Sequence, residues 1–353
     1  MSAEVRAPQT PTPAAPAPGR RAARWLTWDT AVIAVTVAFL VAAALGVESF
    51  GTSRNAGFLV LEVAPVLLLA LPLTLVVVTG EIDLSVASTV GLSGAAMGVM
   101  WDAGLPLETI IPLTVVLGAV LGAVNGFFVA VLGLPSLAVT IGTLALYRGL
   151  AFVLLGDTAV SDWPRAFTAW VVGTVGGSPV PNVVLPVLVL VVVFGVVLHL
   201  TPVGRAVYAV GANATAAAFS GVRVARLTFW LFVTSGAVAG LVGVLWTLRF
   251  SSARGDSATG LELTVVAAVL LGGVSIFGGK GGLPGVVAGV VLLASLQNAL
   301  RLASVSAEAL TVVTGALLVA SVLVPNLAAA RRRARPGTPR ALSPNAAGGR
   351  TAP

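Results

Sequence analysis

The feature that most constrains this chain is a succession of apolar stretches separated by short polar, glycine-rich or proline-rich breaks. Crossing the hydrocarbon core of a bilayer as an α-helix takes roughly 20 predominantly apolar residues. Lipid offers no partners to backbone N–H and C=O groups, so only helices or closed barrels can span it. Barrel strands would alternate in polarity, whereas residues 184–200 read VLPVLVLVVVFGVVLHL. The sequence therefore predicts an all-α, polytopic membrane protein.

Composition agrees with this class and excludes several kinds of site. Hydrophobic residues make up 57% of the chain and charged residues only 9%, against about 25% charged in an ordinary soluble protein. Because the chain has no cysteine, it can hold no disulfide, thiol nucleophile or thiolate metal site. The single histidine, His199, ends an apolar run and is expected to be interfacial, without a ligand role. Metal ligands are nowhere clustered, which disfavours an integral membrane enzyme, and we expect neither catalytic nor metal-binding residues.

Apolar and polar segments divide the chain into three regions. Residues 1–28 are predicted to be a disordered cytoplasmic tail, followed by an uncleaved first span instead of a cleaved signal peptide. Residues 29–326 are the predicted transmembrane domain. Residues 327–353 are a basic, disordered cytoplasmic tail, and its RRRAR cluster is interpreted as the stop signal after the last span. About ten transmembrane helices are predicted, at residues 31–46, 57–78, 86–101, 110–132, 137–155, 183–200, 227–249, 262–276, 282–301 and 309–324.

The basic residues predict the orientation of these spans. With the N-terminus inside, fourteen basic residues fall on the cytoplasmic side and five outside, with Arg148 left inside a span. Since cytoplasmic flanks of membrane spans carry an excess of Lys and Arg, both termini are predicted to be cytoplasmic. The net charge of +7 thus reflects topology, and nucleic acid is not expected as a partner.

Two segments on the predicted inner side stand out. Residues 201–227 form the longest polar interruption there, with an alanine-rich middle that suits a short helix on the membrane surface. Such an element is either a docking knob for a cytoplasmic partner or an ordinary connecting loop. Residues 262–289 are dense in glycine and contain GGKGG, but not the G-x-x-x-x-G-K-[ST] pattern of a phosphate loop. Any ATP-driven step must therefore be supplied by another chain.

A pair of carboxylates interrupts the apolar sequence at residues 79–88, which read TGEIDLSVAS. Ionisable residues near the membrane interior default to a functional hypothesis. Glu81 and Asp83 could cap the next helix, a role that Asp83 followed by Ser85 suits well. They could instead line a pathway and bind hydroxyl groups, or form a proton or cation relay.

Four stretches carry a family resemblance: residues 79–88, 134–149 (LPSLAVTIGTLALYRG), 201–221 (TPVGRAVYAVGANATAAAFSG) and 262–289. In their order and spacing they resemble the membrane-spanning permease subunits of bacterial ATP-binding-cassette (ABC) importers for monosaccharides. This ribose-type family also includes xylose, galactose, rhamnose and autoinducer-2 systems. The resemblance extends from about residue 30 to about residue 325.

The resemblance implies a function and a set of partners. The chain would be the permease subunit that moves a monosaccharide or similar polyol-like solute across the cytoplasmic membrane, without covalent chemistry of its own. A second permease, identical or related, two ABC ATPase subunits and an extracytoplasmic sugar-binding protein would complete the importer. ATP and Mg²⁺ would be held by the ATPase, so no cofactor is expected on this chain, and its other contacts would be membrane lipid. The alternative is an ion-coupled secondary transporter or channel that uses Glu81 and Asp83.

The resemblance also assigns residue roles. For the loop at residues 201–221, the resemblance implies contact with the ATPase. Ala212 and Phe219 in this loop depart from the family's usual residues. The positions that match in this loop are Gly204, Arg205, Gly211, Asn213, Ser220 and Gly221. The residues predicted to line the translocation path are Glu81, Asp83, Ser85, Asn125, Thr140, Thr143, Arg148 and Asn298. Glu81 stands where many family members carry Gly, and we expect it either to face water at the inner mouth or to pair with Arg148.

Overall fold

The computed structural model describes the backbone of residues 28–333, so the predicted tails lie largely outside the described residues. Within this part the chain is helical, and β structure is limited to two isolated bridges, Val160 to Ala253 and Thr174 to Pro181. The helices are α1 (Trp28–Gly46), α2 (Ser53–Val78), α3 (Val86–Asp102), α4 (Leu107–Gly126), α5 (Ser136–Leu155), α6 (Arg165–Val172), α7 (Val184–Leu200), α8 (Pro202–Ala212), α9 (Ala214–Phe219), α10 (Val224–Phe250), α11 (Leu261–Leu271), α12 (Leu283–Leu302) and α13 (Ala307–Arg333). A π-helical turn, Phe127–Val131, continues α4.

The prediction of an all-α, multi-pass protein is confirmed. Among the described residues, six helices are long and apolar enough to cross a membrane: α1, α2, α4 with its π-helical turn, α5, α10 and α12. The pair α7 and α8, bent by 66°, gives a seventh candidate. Helices also lie at the other three predicted positions, but α3 has 17 residues and α11 only 11. The number of crossings and the orientation of the termini stay predictions.

Helix α2 forms the centre of the bundle. From Ala64 to Val78 every residue is buried, and Leu68, Leu69 and Leu71 have no exposed surface at all. Its first part, before Ala64, is mostly exposed or half-buried. The helix contains two prolines, Pro65 and Pro72, and a proline inside a helix removes one N–H donor and bends the axis. The inner part of α2 therefore lies within the core, whereas the outer part is more exposed.

Helices α4 and α10 cross along a seam of small residues. Gly118 and Gly122 of α4 face Gly236 and Gly240 of α10, each pair spaced by four residues in sequence. A Cβ at Gly122 would overlap the carbonyl oxygen of Phe232, so the backbones are in direct contact here. In lipid, helix association relies on such close packing, because the apolar side chains gain nothing by leaving the hydrocarbon.

Two breaks between consecutive helices, one between α2 and α3 and one between α11 and α12, begin with the same backbone motif at one end of the bundle. Helix α2, whose last residue is Val78, is terminated by Gly80, which has φ +89°. The N–H of Gly80 donates to Val77 O at 2.9 Å, and the N–H of Glu81 donates to Val76 O at 3.2 Å. This is a Schellman motif, which needs a left-handed residue and therefore favours glycine. Helix α11 ends in the same motif at Gly273, φ +93°, so the predicted span 262–276 stops as a helix at Leu271.

The two breaks touch each other and the start of the chain's described part. Gly279 N–H, in the turn after α11, donates to Val78 O at the end of α2, at 2.8 Å. The indole of Trp28, at the start of α1, donates to Leu271 O at 3.0 Å. The segments that the charge pattern predicts to be cytoplasmic thus gather at one end of the bundle, called the inner end below.

Candidate functional site

The carboxylate of Asp83 lies at the centre of a buried polar cluster at the inner end. Its side chain is only 2% exposed. Oδ1 accepts hydrogen bonds from the N–H of Ser85 at 3.0 Å and from its hydroxyl at 2.7 Å, and Oδ2 accepts from the hydroxyl of Ser235 in α10 at 3.1 Å. Among the described residues no basic side chain pairs with Asp83. The carboxylate therefore fixes the start of α3 and ties it to α10.

Helices α4 and α5 complete this cluster. Asn125 Nδ2 donates to Ser85 Oγ at 2.7 Å, while its Oδ1 is buried without a hydrogen-bond partner. Thr140 donates to the carbonyl of Ile82 at 3.1 Å, and Ser136 Oγ accepts from the N–H of Ile82 at 3.1 Å. Three helices, α4, α5 and α10, thus hold the short non-helical segment between α2 and α3. Of the residues predicted for the path, Asp83, Ser85, Asn125 and Thr140 are brought together here.

Of the two alternatives expected for Glu81, the ion pair with Arg148 is wrong: no such pair forms between these residues. Arg148 Nη1 donates to the carbonyls of Gly255 at 3.1 Å and Ser257 at 2.6 Å, in the loop after α10. It lies twelve residues along α5 from Ser136, which at 1.5 Å per residue is about 18 Å from the level of the Asp83 cluster. Sequence reasoning placed Glu81 at the end of one predicted span and Arg148 inside another, but could not give their relative depth. Glu81, by contrast, is half-buried at the inner end and forms no ion pair with any described residue.

The other two predicted path residues also lie apart from the Asp83 cluster. Thr143 is buried and donates within α5, to Val139 O at 3.1 Å. Asn298 lies near the opposite, outer end, where its Oδ1 accepts from Asn55 Nδ2 at 2.9 Å. The eight predicted path residues therefore occupy an inner cluster, an outer cluster and separate positions along α5.

The loop predicted to contact the ATPase folds into α8 and α9 at the inner end. Helix α8 buries Gly204, Val207 and Val210 on one face. A Cβ at Gly204 would overlap Leu198 O, which explains the glycine at the sharp bend between α7 and α8. A Cβ at Gly211 would overlap Val78 O, so α8 packs directly on the end of α2. The hydroxyl of Tyr208 donates to Gly281 O at 2.6 Å and joins α8 to the turn before α12.

Helix α9 projects from this base. Asn213 caps it by accepting from the N–H of Ala216 at 2.9 Å, and Gly221, at φ +89°, ends the turn that follows. Only Ala217 of α9 is buried, whereas Phe219 is 89% exposed. Arg205 and Ser220 are exposed as well. A helix that is anchored at its base and exposes a large aromatic side chain has the form of a docking element.

Sequence reasoning missed three residues of these sites. Ser235, Ser136 and Tyr208 supply hydrogen bonds that hold the two breaks, and none of them was singled out. A signal was available for Ser136, which follows Pro135 at a predicted helix start. Nothing in the sequence distinguishes Ser235 from other serines in apolar helices, because its partner Asp83 lies 152 residues away.

An all-helical bundle of membrane-spanning segments, with interrupted helices and an exposed short helix at one end, is typical of membrane transport subunits. The chain belongs to the family described as "Branched-chain amino acid transport system / permease component", whose profile matches residues 55–322. The predicted class, a permease subunit of an ABC importer, is confirmed, and the protein is a multi-pass protein of the cytoplasmic membrane. Membership in this family implies an ATPase and a solute-binding protein as partners.

Its relatives include import permeases of one kind. The chain is 36% identical over 262 residues to the autoinducer 2 import system permease protein LsrD of Yersinia enterocolitica. The aligned region covers 72% of this chain and 78% of that protein. It is 33% identical over 274 residues to the protein of the same name in Photorhabdus temperata, covering 76% and 82%. No solved structure matches the chain.

Proposed function

We propose that this permease carries a small polyhydroxylated solute, a monosaccharide or an autoinducer-2-like compound, inward through alternating access. The support is its similarity over most of its length to permeases named for autoinducer 2 import. The family description names branched-chain amino acids, whereas these two relatives are named for autoinducer 2 import. A second permease copy or a related permease, two ATPase subunits and an extracytoplasmic binding protein complete the importer, and ATP and Mg²⁺ are held by the ATPase.

The packing of α8 and α9 supports a route for the ATPase's motion. ATP binding draws the ATPase subunits together and displaces α9, whose exposed Phe219 sits in the ATPase surface. Helix α8 transmits the displacement, since Gly211 contacts the end of α2 and Tyr208 holds the turn before α12. Motion at the ATPase thus reaches both helix breaks at once. The Asp83 cluster keeps the start of α3 in register with α4, α5 and α10 while this happens.

The ion-coupled alternative receives less support from the same geometry. Both oxygens of Asp83 are occupied by serine donors, and the side chain is 2% exposed, so it offers no open face to a passing ion. Glu81 has no partner with which to form a relay among the described residues.

The test is uptake into proteoliposomes that contain the permease, its ATPase and its binding protein. Labelled autoinducer 2, ribose and leucine are each offered with and without internal ATP. We expect ATP-dependent uptake of autoinducer 2 or ribose that a proton uncoupler does not affect. Uptake of leucine alone would refute the proposed solute class. Uptake without ATPase that collapses with the proton gradient would refute the importer mechanism itself.

A further inference from the structure

The outer end of α2 carries a group of polar contacts that the transport proposal does not use. Residues 53–64 of α2, called the outer arm here, extend from the helix start to Ala64. Ser53, Arg54, Ala56 and Phe58 are exposed, in contrast to the fully buried inner part of the same helix. The change in burial falls next to Pro65.

Pro65 gives the outer arm a point at which to bend. Because proline has no N–H, the carbonyl of Leu61, four residues earlier, loses its ordinary helical donor. Arg249, at the end of α10, supplies the missing donor: its Nη1 binds Leu61 O at 2.5 Å. A neighbouring helix that satisfies a freed carbonyl is a known way for a proline to be tolerated inside a membrane. The bond also means that the arm's shape depends on α10.

Two further contacts tie the same arm to α12. The carboxylate of Glu62 forms an ion pair with Arg301, with side-chain exposures of 22% and 46%. About two helical turns nearer the helix start, Asn55 Nδ2 donates to Asn298 Oδ1 at 2.9 Å, and both side chains are buried. The arm is thus held by three polar tethers to two different helices, and all three lie on the outer side of Pro65.

A narrow apolar cavity lies behind the tethered arm. Its lining includes Leu61, Ala64, Pro65 and Leu68 of α2 together with Trp246 and Arg249 of α10. Leu68, the innermost of these, has no exposed surface. Val171 of α6 and Val183, just before α7, complete the lining, so displacing the arm about Pro65 would remove one wall of this cavity.

We propose that the outer arm is a gate on the extracytoplasmic side, latched by Glu62 with Arg301, Arg249 with Leu61 O, and Asn55 with Asn298. The structure is the latched, closed state. Docking of the loaded binding protein and the ATP-driven cycle would break these three contacts, and the arm would then pivot at Pro65. The assignment to the outer side depends on the predicted orientation, and the coupling to ATP depends on the proposed function.

The test measures access to position 68 with a membrane-impermeant maleimide added from outside. The natural sequence has no cysteine, so Leu68→Cys introduces the sole thiol of this chain, and labelling is read on this chain after the subunits are separated. In the full importer at rest we expect slow labelling. Glu62→Gln together with Arg249→Gln should raise the labelling rate about tenfold, the change that corresponds to a loss of ~1.4 kcal/mol of latching free energy. ATP with loaded binding protein should raise it in the otherwise unchanged Leu68→Cys protein.

Matched positions separate gate opening from unfolding. Ala56→Cys, on the exposed side of the arm, should be labelled quickly in every background, whereas Val76→Cys, 1% exposed in the inner part, should stay protected. The charge exchange Glu62→Arg with Arg301→Glu should restore slow labelling at position 68 relative to Glu62→Arg alone.

Unchanged labelling at position 68 after removal of the tethers would overturn the gate. So would equal labelling at position 76, since opening would not then be confined to the outer arm. The labelling measurement without ATP needs no solute. If no solute were taken up in the uptake assay but labelling at position 68 still depended on the tethers, the proposed function would be refuted and the gate would not.

Discussion

Replacing Asp83 by Ala tests the role of the buried cluster most directly. The substitution leaves three buried donors without their acceptor: the N–H and hydroxyl of Ser85 and the hydroxyl of Ser235. A buried donor without a partner costs about 1–3 kcal/mol. The two hydroxyls can turn to carbonyls of their own helices, but the backbone N–H has no such freedom. The relief of a desolvated carboxylate offsets part of the loss, so we expect a decrease in stability of about 2–3 kcal/mol.

The conservative variant Asp83→Asn distinguishes structure from charge. Its Oδ1 can keep both bonds from Ser85, and the hydroxyl of Ser235 can accept from its amide, so the loss should stay below ~1 kcal/mol. Thermal unfolding of the purified protein in detergent gives the stabilities, and ATP-dependent uptake gives the activity. Asp83→Asn should retain most uptake, whereas Asp83→Ala should lose most of it. If both variants were equally stable and equally inactive, the charge itself would be required, and the role of the Asp83 hydrogen bonds in holding the start of α3 would be refuted.

Glu81 provides the control for this prediction. It follows Gly80 in the Schellman motif, is half-buried, and lacks a positive φ, so a glycine there is neither required nor forbidden. Glu81→Gly should lower the free energy of unfolding by no more than ~1 kcal/mol, because glycine gives the unfolded chain more backbone freedom. Uptake should remain partly active. A greater loss from Glu81→Gly than from Asp83→Ala would reverse the assignment of the pair.

Three further outcomes follow from the packing. Gly122→Leu places a side chain against the Phe232 carbonyl and should lower stability in detergent by about 1–3 kcal/mol, whereas Gly195→Leu, where a Cβ meets nothing within 4 Å, should not. Phe219→Ala should leave the unfolding temperature unchanged but lower solute-stimulated ATPase activity severalfold. Val153, which is 79% exposed on α5, provides the matched control Val153→Ala. Equal effects of the two substitutions on ATPase activity would contradict a docking role for Phe219. Tyr208→Phe removes one hydrogen bond and should cost about 1 kcal/mol; an unchanged melting temperature would show that the bond to Gly281 is not formed.

Much of the fold was predictable because membrane helices are specified by local composition. Every predicted span coincides at least in part with a helix, and the loop at residues 201–227 contains the expected short helix, α9. The boundary at residue 276 was wrong because apolar composition continues through Val274 and Ile276, while the helix is ended at Gly272 and Gly273 by a backbone motif. The glycine spacing in α4 and α10 was readable, but only in hindsight does it identify which two helices cross.

The sequence by itself determined that the chain lies in a membrane, which segments are helical, and where a short helix interrupts the apolar segments, because these depend on the length of apolar runs and on local turn residues. The tertiary structure alone decided which polar groups meet. Asp83 finds Ser235 across 152 residues, and Asn55 finds Asn298 across 243. Such pairings depend on how helices cross and at what depth each one starts, and an apolar helix carries little local information about either. The same physics separated Glu81 from Arg148 and brought Arg249 to the carbonyl freed by Pro65.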